Sequence, residues 1–132
     1  MDSDQLFTIY FLFIFYGILF TILCPIVLGI WIMGLQKRVL IKHAQSGLVA
    51  NGYVGYCWTY LFLGPIIPIF RGEIVIGALY LFFTGASLGL FQLFMPLLYN
   101  KQFMVRHLTN GYALSDKESV NLMAKKRLGI AL

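Results

Sequence analysis

The sequence is short of charge, of cysteine and of every residue pattern that carries chemistry. Only 11% of its 132 residues are Asp, Glu, Lys or Arg, while 60% are hydrophobic. An average soluble domain has roughly 25% and about 45 to 50%. A water-soluble fold of this length would have to hide its apolar residues behind too few polar ones. The two cysteines, Cys24 and Cys57, lie in apolar stretches. That excludes a disulfide framework and a zinc spacing, and makes both small buried hydrophobes. His43 and His107 stand alone in polar segments, without a ligand-spaced neighbour. No metal and no other cofactor is therefore expected. There is no nucleophile beside a base, no carboxylate pair and no phosphate-binding glycine loop, so no catalytic residue is nominated and the chain is not expected to be an enzyme.

What the sequence does have is three long apolar runs, 6–33, 53–70 and 74–99, all free of Asp, Glu, Lys, Arg and His. A hydrocarbon core of roughly 30 Å takes about 20 helical residues. The runs predict an all-α membrane protein, a single membrane domain over 1–132 with three transmembrane helices. The second run is the shortest, and Gly64, Pro65 and Pro68 predict that it is kinked and partly extended. The first follows an acidic N-terminus, Met1-Asp2-Ser3-Asp4, and is longer than a signal-peptide core. A retained anchor is expected there.

Basic residues resist translocation, so their placement sets orientation. From the N-terminus through the two loops to the tail, the net charge runs −2, +3, 0 and +4. Three spans then place the N-terminus outside, with the loop 34–52 and the tail 100–132 in the cytoplasm. A re-entrant second segment would instead return Arg71 to the cytoplasmic side and send the tail across. The candidate contacts to anionic headgroups are Lys37, Arg38, Lys42, Lys101, Arg106, Lys125, Lys126 and Arg127. Each is worth on the order of 1 kcal/mol near such a surface. Nucleic acid is not expected as a partner.

Between the first two runs, Val39-Leu40-Ile41 and Leu48-Val49 flank a turn-like Gln45-Ser46-Gly47, the pattern of a small β-hairpin or of an irregular loop. In the third run Gly85, Ala86 and Gly89 offer a small-residue face for helix packing, with oligomerisation one use of it. Arg71-Gly72-Glu73 forms the turn between runs two and three. In the tail, Asn110-Gly111 should stop a helix. Ser115 and Glu118 have capping-box spacing, which predicts a C-terminal amphipathic helix lying on the inner leaflet.

Several short stretches, Tyr56-Cys57-Trp58-Thr59, Leu61-Phe62-Leu63-Gly64, Ile67-Pro68-Ile69-Phe70-Arg71-Gly72-Glu73, Tyr99-Asn100-Lys101 and Asn110-Gly111-Tyr112, resemble the HrgC-like family of small bacterial membrane proteins. The likeness covers 39–116 and leaves 1–37 unmatched. Cys57 stands where that family usually has serine, and Glu73-Ile74 where it has an acidic-aromatic pair. The resemblance implies a bacterial inner-membrane setting and a fixed Arg-Gly turn, without a substrate or cofactor. The expected function is a non-enzymatic membrane scaffold or accessory subunit. Its partners would be anionic lipid and other transmembrane helices, its own copies or another protein's. The rival is a small oligomeric pore or membrane-perturbing protein, for which Thr84, Ser87 and Gln92 offer the only polar stripe.

Overall fold

In a computed structural model, residues 1–130 are described. The last two positions of the expected tail, 131 and 132, lie outside them. The first element, α1 (Ser3–Met33), is one uninterrupted helix. At about 1.5 Å per residue it is roughly 46 Å long. It holds together because its apolar run has no breaker but Pro25, and it stops where Gly34 turns to a positive φ of 71°. Gly29 is its one fully buried residue. A Cβ there would strike Leu97 and Tyr56, so the helix is packed closely on the rest of the chain near its C-terminal end, while farther up Gly17 and Thr21 face Leu90 and Leu93 across a groove.

The hairpin or loop expected after the first run is part of a three-stranded antiparallel sheet of order β2-β1-β3. The strands are β1 (Lys37–His43), β2 (Val49–Val54) and, from the tail, β3 (Tyr112–Leu114). β1 pairs with β2 from Lys37↔Val54 to Lys42↔Val49, and with β3 at Ile41↔Leu114. Val39, Ile41 and Val54 are buried, because α6 (Tyr99–Thr109) and α7 (Glu118–Leu128) pack on the sheet. An isolated hairpin would be marginal, and this cover is what a small sheet needs.

The three-span expectation is overturned: among the described residues only α1 is by itself long and apolar enough to cross a membrane. The second run is split into α2 (Trp58–Leu63) and α3 (Ile66–Phe70) by Gly64, at φ 57°, and Pro65. Helices of six and five residues reach about 8 to 9 Å each, far below a bilayer core. Cys57 Sγ, before α2, lies 3.9 Å from Arg71 Nη2, after α3. The run therefore leaves and returns to the same place. The third run also doubles back. It comprises α4 (Ile74–Ala86), a reversal at Ser87-Leu88-Gly89, and α5 (Leu90–Phe94) continued by a 3-10 turn, Met95–Leu97. The two limbs are bent by 120°. Leu88 and Gly89 hold positive φ angles of 55° and 90°, which no α-helix accommodates.

Tail helix α7 is not capped as expected. Its N-cap is Lys117, while the Ser115 amide donates to Leu40 O (2.9 Å) and extends the sheet. Asp116 closes the connection by accepting from the Leu40 and Lys117 amides at 3.0 and 2.7 Å. Those two bonds hold its carboxyl below the ordinary carboxylate range. Ala124 and Leu128 are buried on the sheet side, so the apolar stripe expected to meet lipid is spent on the protein's own strands.

Candidate functional site: the polar junction and the basic cleft

The two doubled-back segments end on a shared polar junction. Glu73, which opens α4, takes a two-pronged contact from Arg106 of α6, Nε to Oε1 at 2.7 Å and Nη2 to Oε2 at 2.8 Å. Tyr99 donates its hydroxyl to the same carboxylate at 3.0 Å. Hydrogen bonding to Glu73 raises the Arg106 pKa above its ordinary value. Because 26 and 33 residues separate Glu73 from these partners, the contact clamps the start of α4 to the chain that follows α5.

Arg71 turns inward. Its guanidinium lies 3.9 Å from the centre of the Tyr53 ring, 5.1 Å from Tyr99 and 5.2 Å from Phe103, a cation enclosed by three aromatic faces. Its Nη1 donates to Asn100 Oδ1 (2.9 Å). Asn100 is 1% exposed and donates in turn to Gln36 Oε1 and Gly55 O at 3.0 and 3.1 Å. Thr59 completes the chain by donating to Gln36 at 3.4 Å. The network joins the end of α1, the sheet, both hairpins and α6 through side chains that satisfy one another. It replaces water where two apolar segments begin and end. The Tyr56 and Tyr60 hydroxyls are buried with no hydrogen-bond partner among the described residues.

Of the residues nominated from sequence, Arg71, Gly72 and Glu73 do form a turn, with Gly72 at φ 85°. Two of the three are also the anchors of the junction. The packing face of Gly85, Ala86 and Gly89 does not exist as one helical surface. Gly85 and Ala86 end α4, whereas Gly89 belongs to the reversal, and a Cβ at either glycine would meet nothing within 4 Å. The nominated basic residues separate into groups. Lys37, Arg38 and Lys42 are exposed on β1, Lys125 is half-buried on α7, and Arg106 is taken up by Glu73. Lys101, Lys126 and Arg127 converge on one cleft. Sequence reading missed Asn100, Gln36, Tyr53 and the Glu73–Arg106 pair. The usable signal was a lone acid between two apolar runs, since an ionisable group next to lipid-compatible sequence needs a partner.

The histidines have local roles. His43 Nδ1 pairs with Ser46, and His107 Nδ1 with the Phe103 carbonyl. Both rings pack edge-on against Tyr112, at 5.1 and 5.3 Å. Among the described residues no three His, Cys, Asp or Glu side chains converge as a metal site would require. No protein-family model, no curated protein and no solved structure matches this chain.

Proposed function

We propose that the chain is a non-enzymatic membrane scaffold or accessory subunit of the bacterial inner membrane, a setting the HrgC-like resemblance implies. It is anchored by α1 and carries two re-entrant helical wedges, α2–α3 and α4–α5, in the leaflet where α1 ends. The observation that carries this reading is the surface of α1. Large apolar side chains are exposed all round it, among them Phe7 at 73%, Phe13 at 79%, Phe20 at 70% and Trp31 at 81%. Such a surface is stable only against lipid or another helix. The end of α1 is seated on Tyr56 and Leu97, which makes it part of the folded unit.

Charge supports one orientation. Asp2 caps α1 and Asp4 lies in its first turn, and all ten Lys and Arg residues follow the helix. With both later runs returning to the side they left, every basic residue is cytoplasmic and the N-terminus is outside. The pore reading loses its polar stripe, because Thr84 bonds to Tyr80 O, Ser87 to Thr84 O and the Phe91 amide, and Gln92 to Leu61 O.

The test takes single cysteines placed along α1 and at Ser3 and Ser115, in a chain lacking Cys24 and Cys57. A membrane-impermeant maleimide applied to intact cells should label position 3 and spare position 115. Oxidation in the membrane should cross-link α1 positions to a second copy or a partner helix. Labelling at 115 would overturn the orientation. A chain that gives no cross-link anywhere along α1, and is monomeric by native mass in lipid discs, would overturn the scaffold.

A further inference from the structure

Two adjoining cavities line the C-terminal half of α1. The first is an apolar groove of about 700 Å³ between α1 and the returning limb of the second hairpin, walled by Phe20, Cys24, Leu28, Phe94 and Leu98 among others. It runs along α1 from Phe20 to Met33, roughly 20 Å of helix, comparable to the ~15 Å depth of one leaflet. The second, of about 630 Å³, opens at the end of α1 and is lined by Lys101, Lys126 and Arg127, with no acidic residue among the described residues of its wall. Ile32, Met33 and Lys101 belong to both, so the apolar groove leads into the basic cleft.

The cleft is shaped around its arginine. Arg127 Nη1 donates to the Leu35 carbonyl at 2.9 Å, which fixes the guanidinium across the mouth. Gly34 and Gly55 stand beneath it at φ 71° and 92°; a Cβ on them would fall 2.7 Å from Arg127 Nη2 and 2.9 Å from Nη1. Glycine at both positions is what leaves room for the cation. One hydrogen bond occupies Arg127 among the described residues, leaving its remaining N–H groups for an acceptor.

We propose that this composite site binds one anionic glycerophospholipid of the cytoplasmic leaflet. Its phosphate would be held by Lys101, Lys126 and Arg127, and one acyl chain would lie along α1 in the groove. The site rests on the membrane reading above and adds to it a defined ligand. A planar guanidinium flanked by two ammonium groups suits a phosphodiester oxygen, and the apolar channel starts where the headgroup ends. A zwitterionic lipid fits less well, because among the described residues no carboxylate in the cleft wall receives its ammonium.

The full-length chain is purified from membranes into mild detergent and offered equimolar palmitoyl-oleoyl phosphatidylglycerol and phosphatidylcholine. Retained lipid is counted by native mass spectrometry. One phosphatidylglycerol should stay bound. The pair Lys101→Gln and Lys126→Gln should reduce its retention about thirtyfold, and Cys24→Trp, which fills the groove, should also reduce it severalfold with the charges intact. The charge-matched pair Lys37→Gln and Lys42→Gln, outside the cleft, should retain it as the parent does. Arg127 is left in place because it also holds Leu35. Equal loss in the Lys37/Lys42 pair, undiminished binding in Cys24→Trp, or retention of phosphatidylcholine equal to that of phosphatidylglycerol would each overturn the site. A parent chain that an alkaline wash releases from membranes would overturn the membrane reading itself. A membrane-resident chain with equal retention in all variants would overturn only the lipid site.

Discussion

α1 and the segment 58–97 are built from nearly the same palette of Leu, Ile, Phe and Tyr, without Asp, Glu, Lys, Arg or His in α1 after Asp4 and with only Arg71 and Glu73 of these in the later segment. They fold in opposite ways. α1 runs without a break through 31 residues and meets the rest of the chain along one side, most closely near its C-terminal end. The segment 58–97 breaks into four short helices and returns twice to one junction. Hydropathy alone does not distinguish them, because transfer energy counts side chains and is blind to direction. Two other terms separate them. Gly64-Pro65 and Gly89 supply reversals at low backbone cost, although Leu88 beside Gly89 is also held at positive φ, and Arg71, Glu73, Asn100 and Arg106 hold the ends together once the chain has turned.

That contrast can be broken at the clamp. Replacing Glu73 with alanine leaves Arg106 half-buried and unpaired and removes the acceptor of Tyr99, a lesion worth about 3 kcal/mol. The α4–α5 hairpin should become protease-sensitive and the melting temperature should fall, while α1 stays alkali-resistant in the membrane. Unchanged melting of the variant would show that the hairpin is held by its apolar faces alone. A smaller effect of opposite sign in the two regions is expected from glycine. Gly89→Ala should destabilise by about 1 to 2 kcal/mol because φ there is positive. Gly17→Ala, in mid-α1 with nothing within 4 Å, should stabilise its helix by roughly 0.5 to 1 kcal/mol. Thermal melts in one detergent compare the two, and a loss at Gly17 equal to that at Gly89 would mean that α1 is tightly packed at that point.

The smallest effect is in the tail and depends on pH. The Asp116 carboxyl titrates below its ordinary value of 3.8 because the Leu40 and Lys117 amides favour the ionised form. A depressed folded pKa means that the contribution is present above 3.8 and is lost as pH falls through the lower folded value. Between pH 7 and 5 the Leu40 and Lys117 amide resonances should therefore stay still, and they should move only below 3.8. Movement centred at or above that value would remove Asp116 from the tail's attachment.

Part of the architecture was legible in local sequence. The length of α1 follows from an unbroken apolar run closed by Gly34. Two of the three strands follow from Val39-Leu40-Ile41 and Leu48-Val49 around Gly47, and the break in the second run follows from Gly64-Pro65. The third strand was not legible, since Tyr112-Ala113-Leu114 is too short to show alternation and becomes a strand only by pairing with β1. Nor was the fate of Gly85 and Gly89. Their spacing reads as a packing face on an assumption of continuous helix that Leu88 does not honour. Arg106 and Arg127 read as two more surface cations, yet one clamps Glu73 and the other reaches the Leu35 carbonyl across 92 residues.

By itself, then, the sequence determined which stretches shun water, where the backbone is free to break, and that every lysine and arginine follows the first apolar run. These are properties of single residues and near neighbours, set by transfer energy, backbone freedom and charge. Whether an apolar run crosses or returns was decided only by the tertiary structure. That choice depends on which polar groups meet at the two ends of the run, and here those partners lie 14 to 33 residues apart in the chain. They become neighbours only after the reversal they stabilise.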